Sequence, residues 1–172
     1  MTSYVALLRA VNVGGTGKLP MADLRRIADE LGFGDPRTLI ASGNLIFMSD
    51  GTAAAVYKQL EGRLETHMGK RVPVLIRTAA EMAAVAAANP FSDAPGRRVL
   101  VTFFDSPPPT DALDDARGLD GERIALGERE IYVDYCGTLL GRSKLRIPAA
   151  ANGTARNMNT VQKLAEMAAG SA

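Results

Sequence analysis

The chain predicts an α+β fold, two tandem ferredoxin-like plaits with antiparallel sheets. Three observations carry this expectation. Over residues 1–78 the pattern runs strand, helix, strand, strand, helix, strand, the order of a plait. A related order, strand, helix, strand, strand, helix, starts again near Val99. The 172 residues, 47% of them apolar, are enough for two small cores.

In the first half, Ser3 to Val13 reads as a strand. Residues 20–31 read as a helix, with Pro20 at its start, Met21, Leu24, Ile27, Ala28 and Leu31 on one face, and Gly32 as its stop. Thr38 to Ala41 and Leu45 to Met48 are apolar runs around Ser42-Gly43-Asn44, which predicts a hairpin. Asp50 or Thr52 caps the next helix, where Val56, Leu60 and Leu64 recur every four residues. Val72 to Ile76 is the closing strand, and its Pro73 suits an edge or a strand start. Thr78 and Glu81 form a capping box for a helix that ends near Ala88, ahead of Asn89-Pro90.

The second half, residues 79–172, repeats element order but not letters, with the boundary between residues 78 and 96. Val99 to Phe104 is a strand, Pro107-Pro108-Pro109 a stiff connector, and 110–117 a short acidic helix. Glu122 to Leu126 and Glu130 to Tyr135 pair across Gly127-Glu128. A loop over 137–153 leads to a helix with Met158, Val161, Leu164, Ala165 and Ala168 on one face.

Composition narrows function. The formal charge of +1 gives no global field toward nucleic acid or membrane. Locally, residues 105–135 carry three Arg against nine Asp and Glu, and 137–172 carry five Lys and Arg against one Glu. One cysteine, Cys136, rules out an internal disulfide and reads as a packed free thiol. With no secretory leader and no apolar run of membrane-spanning length, a cytoplasmic protein is expected.

Two segments concentrate polar chemistry. Arg9, Asn12, Gly14, Gly15 and Lys18 carry the first strand into a glycine-rich loop and a helix start, an arrangement that can cradle an anion. The spacing is neither a P-loop nor a dinucleotide fingerprint. Arg156, Asn157 and Asn159 place donors just before the last helix, where capping is the simpler role. Asn44 in the hairpin turn joins the set if the turn lies beside Asn12. Arg142, Lys144 and Arg146 would share one face of a strand.

These residues suggest a small anionic ligand, nucleotide-like or phosphate-like, bound by forked arginine and amide donors. The competing readings are nucleic-acid binding on a plait sheet, disfavoured by near-neutral charge and few strand aromatics, and a structural or protein-interaction module. His67 is the one histidine and reads as a surface or half-buried residue. No metal site, catalytic residue or cofactor is assigned, oligomeric state stays open, and so does whether the protein is an enzyme.

The run Leu7-Leu8-Arg9-Ala10-Val11-Asn12-Val13-Gly14-Gly15, then Lys18 to Phe33 and Thr38 to Asn44, resembles the bacterial domain-of-unknown-function family 1697. Thr154-Ala155-Arg156-Asn157-Met158-Asn159-Thr160-Val161 is similar to that family's C-terminal signature. The resemblance implies two tandem ferredoxin-like subdomains and brings no activity. Ala10 stands where the family usually has Gly, and Met158 where it usually has Trp.

Overall fold

The computed structural model describes residues 1–12, 17–137 and 142–170. By internal contacts the chain forms two compact units, Met1–Ala83 with Leu164–Ala172, and Ala84–Lys163. Each is built on a four-stranded antiparallel sheet, so the α+β class is the observed one.

In the first unit, β1 (Thr2–Leu8), β2 (Gly34–Thr38), β3 (Asn44–Ser49) and β4 (Val74–Thr78) stand in the order β2-β3-β1-β4. This is the plait order, with the first strand inside and β4 at an edge, where Pro73 is tolerated. Helices α1 (Met21–Glu30) and α2 (Ala53–Met68) cover one face. Tyr4, Ala6 and Leu8 of β1 and Phe47 of β3 point to that side and pack with Leu24, Ile27, Leu60 and Leu64 in one core. The Phe33 and Phe47 rings stack at 4.3 Å. Thr52 Oγ1 accepts from Ala55 N at the start of α2, and Gly69, at φ +70°, ends it.

Helix α3 (Ala79–Ala87) opens with the expected capping box. Thr78 N donates to Glu81 Oε2 at 2.8 Å, and Glu81 N donates to Thr78 Oγ1 at 3.1 Å. Helix α4 (Met158–Ala169) ends against the face of the first sheet that α1 and α2 leave open. Ser3 Oγ donates to the Ala168 carbonyl and Arg37 Nη2 to the Met167 carbonyl, each at 2.9 Å.

The second sheet contains β5 (Val99–Phe103), β6 (Arg123–Leu126), β7 (Glu130–Asp134) and β8 (Thr154–Asn157), in the order β6-β7-β5-β8. That is the same permutation as in the first unit. Ile131, Val133 and Leu145 form the core of one face, with Phe104, Leu113, Ile124 and Ile147 against it.

Four local expectations change. The first strand stops at Leu8, because Ala10 and Asn12 take left-handed φ values of +56° and +57°. The strand before the hairpin is Gly34–Thr38, not the apolar run 38–41, because Ile40 turns at φ +49° and Leu39 N closes on the Asn44 carbonyl. The acidic segment 110–117 forms successive i→i−3 turns and no α-helix, since adjacent aspartates are poor helix formers and repel. Finally, Thr154–Asn157 is a strand, paired with β5 from Leu100↔Asn157 to Phe103↔Thr154.

Candidate functional site

The candidate site lies at the end of the first sheet where β1 gives way to its loop. Asn12 organises it. Its Nδ2 donates to the carbonyls of Leu19, at 2.8 Å, and Ala41, at 2.7 Å, while its Oδ1 accepts from Leu19 N at 2.7 Å. Asn12 N also donates to the Gly17 carbonyl. One side chain thus closes its own loop and ties it to the turn after β2.

That turn is held from within. Asn44, fully buried, donates from Nδ2 to the Leu39 carbonyl at 2.8 Å and to Ser42 Oγ at 3.1 Å. Leu8 N donates to the Gly43 carbonyl. Gly43, at φ +88°, fits only because it has no side chain: a Cβ would lie 2.6 Å from Val11 Cγ2 and 2.8 Å from Leu8 Cβ. Ala10, Asn12 and Ile40 share the left-handed region with it, and Ile40 is β-branched and 56% exposed. Such clustering of costly backbone is a feature of functional sites.

Three cations border these loops. Arg9, half-buried, follows β1 and donates its backbone N–H to the Pro73 carbonyl. Lys18 is exposed. A Cβ on Gly17 would lie 3.5 Å from Lys70 Nζ, so the Lys70 ammonium stands beside this loop. Helix α1 begins at Met21 with no side-chain cap from Pro20; Asp23 N donates to the Pro20 carbonyl, and the positive end of the dipole, with Asp23 in its first turn, follows Lys18 closely.

The predicted residues therefore separate by unit. Arg9, Asn12, Lys18 and Asn44 belong to the first, with Asn12 and Asn44 gripping the same turn. Gly14 and Gly15 lie outside the described residues. Arg156, Asn157 and Asn159 belong to the second unit. Arg156 is buried on β8, donates from Nη1 to the Ala155 carbonyl, and burial pushes its guanidinium down to about 10. Asn157 Oδ1 caps α4 by accepting from Thr160 N at 2.9 Å. Asn159 fills the space beside Gly96, where a Cβ would meet its Oδ1. Arg142, Lys144 and Arg146 are not on a regular strand; Arg146 makes an isolated bridge with Arg117.

A second polar cluster was not anticipated. Asp134 is fully buried at the end of β7. Its carboxylate accepts from Arg98 Nε at 2.9 Å, from Arg123 Nη2 at 2.6 Å, and from Cys136 N and Sγ at 3.0 Å. Burial alone would raise its pKa, but the bonds from Arg98, Cys136 and Arg123 outweigh it and hold the acid well below the usual carboxylate range. Arg123 also grips Asp93 at 2.9 Å and lies 4.8 Å from the Phe91 ring centroid. The sequence signal was an aspartate on the same strand face as Tyr132, with Arg123 directly across on β6. Cys136 is exposed rather than packed, because φ +48° turns the chain outward. The hydrogen bond to Asp134, then burial, raises its thiol pKa, the reverse of nucleophile activation.

His67 is half-buried, with Nε2 3.7 Å from Asp23. Among the described residues no three His, Cys, Asp or Glu side chains converge as metal ligands, and no helix is long and apolar enough to cross a membrane.

Comparison with known proteins agrees with this architecture. The model of the family described as "Protein of unknown function (DUF1697)" matches residues 1–132. No curated protein matches the chain. Among solved structures, the conserved bacterial protein SP0830 from Streptococcus pneumoniae superposes with a TM-score of 0.78 at 24% identity, covering 97% of this chain and 98% of that one. At that identity the likeness shows the fold.

Proposed function

The chain belongs to the DUF1697 family, and on that footing we propose that its first unit binds a small anion of the phosphate or nucleotide type. The observation that carries this reading is the Asn12 brace. A single amide holds two loops in costly backbone conformations beside Arg9, Lys18, Lys70 and the uncapped start of α1. Positive charge beside a helix N-terminus favours an anion without needing a catalytic residue. The reading assigns binding and names no reaction. Asn157 and Asn159, engaged in capping and packing, are not part of it. The single thiol Cys136 agrees with a cytoplasmic setting.

Thermal-shift and calorimetric titrations with inorganic phosphate, pyrophosphate and adenosine monophosphate test it. A saturable rise in Tm is expected, reduced about tenfold in affinity by Arg9→Ala or Lys18→Ala, as for the loss of one charged contact. Absence of any anion-dependent shift, or binding unchanged in both variants, overturns the reading. Binding of single-stranded RNA with a steep salt dependence, in place of mononucleotides, would favour the nucleic-acid alternative.

A further inference from the structure

The second unit roofs its sheet differently from the first. Where a plait carries two helices, this unit has the turns of 110–116 and the 3₁₀ helix Pro148–Asn152. Five residues of 3₁₀ helix cover far less sheet than an α-helix of three turns. The roof is pinned at one end, where a Cβ on Gly153 would lie 2.2 Å from Thr102 Cγ2. Beside it, small side chains such as Ala150 and Ala155 leave space against the sheet unfilled.

The result is a cavity of about 430 Å³ within the second unit. Leu100 and Val133 of the sheet form its floor and Ile147 part of its wall. Its polar lining includes Thr102, Tyr135 and Arg146. The volume lies in the range of small-molecule sites, and this half-open cleft, apolar with a few placed polar groups, has their usual composition. Water against such walls forms few hydrogen bonds, so a ligand's hydrocarbon displaces it favourably.

Arg146 decides the ligand's charge. Its Nη1 donates to the Leu145 carbonyl at 2.8 Å, which uses one of the five donors of its fork. Its positive charge reaches Tyr135, where it opposes the upward push that burial and Glu122 give the phenol. Glu122 is itself engaged by Ser143 Oγ and Asp120 N, each at 2.6 Å. A cation at an apolar pocket suits an anionic head on an apolar body.

We propose that this cavity binds a medium-length aliphatic carboxylate, of about ten heavy atoms. The chain lies on Leu100, Val133 and Ile147, and the carboxylate meets Arg146. This site is separate from the anion site of the first unit and does not rest on it.

Octanoate titrated into the full chain, with assigned methyl resonances as the readout, tests the assignment. Saturable shifts at Leu100, Val133 and Ile147 are expected, with octanol binding about tenfold more weakly for want of the charged contact. Arg146→Gln should weaken octanoate about tenfold and leave octanol unchanged. Ala155→Leu, on an exposed strand position, should fill the cavity and remove both. Shifts confined to other methyls, octanol binding as tight as octanoate, or no saturation below about 10 mM, a few kcal/mol of affinity, overturns the proposal. The wild-type methyl map decides even if a variant fails to fold.

Discussion

Asn12 Nδ2 and the Ala41 carbonyl meet at 2.7 Å, joining the loop after β1 to a turn 29 residues later. Asn12→Ala removes this bond and the two to Leu19. Because the site is partly exposed, the expected loss is about 1–2 kcal/mol, read as a lower urea midpoint with unchanged m-value. Amide exchange at Leu19 should accelerate in the same variant. An unchanged midpoint and unchanged exchange would show that the brace is incidental.

Ala10 adopts φ +56°, a conformation that costs an L-residue and not glycine. Ala10→Gly should therefore stabilise the protein by about 0.5–1 kcal/mol, the strain relieved less the added unfolded-chain entropy. Denaturant unfolding measures it. A destabilised variant would mean that the left-handed turn is not maintained in solution.

Gly43→Ala meets both obstacles at once, positive φ and the side chains of Val11 and Leu8 within 2.8 Å. A loss of about 2–4 kcal/mol is expected, combining backbone strain with overpacking. Chemical denaturation would show it. A near-neutral outcome would mean the turn can move away from β1.

Asp134 makes the second unit acid-sensitive. Its folded-state pKa lies below its unfolded value, so its stabilisation is complete above about pH 4, the ordinary carboxylate range, and declines as pH falls further. Asp134→Asn should cost about 2–3 kcal/mol at neutral pH. That is below the usual cost of breaking a buried pair, because Arg98 and Arg123 are 35% and 40% exposed and can return to water. The variant should also lose stability less steeply below pH 4. Equal acid limbs in wild type and variant would count against the ion-pair account.

Cys136 is exposed yet protonated more firmly than an ordinary thiol. Its alkylation by iodoacetamide should have a midpoint above the pH of about 8.5 typical of free cysteine. A midpoint at or below that value would mean that the hydrogen bond to Asp134 is not held.

Apolar periodicity and turn chemistry alone determined much of this protein. Leu24 and Ile27 of α1 and Leu60 and Leu64 of α2 recur at helical spacing, and the structure buries all four against the first sheet. The Thr78 and Glu81 capping box formed as its spacing requires, because both partners lie within one helical turn. Strand order followed from element order, since short antiparallel connections leave few alternatives.

Tertiary structure decided what depends on distant partners. Ile40 is a good strand former, yet it turns at positive φ because Leu39, Asn44 and Asn12 fix the chain on either side of it. Thr154–Asn157 read as a helix approach because its hydroxyl and amide side chains suit caps, and pairing with β5 made it a strand. Asp134 was one acid among many in a charged segment until the fold set Arg98 and Arg123 around it. Sequence records side chains and local torsional preferences; which charges become neighbours is set only when strands from remote positions pair.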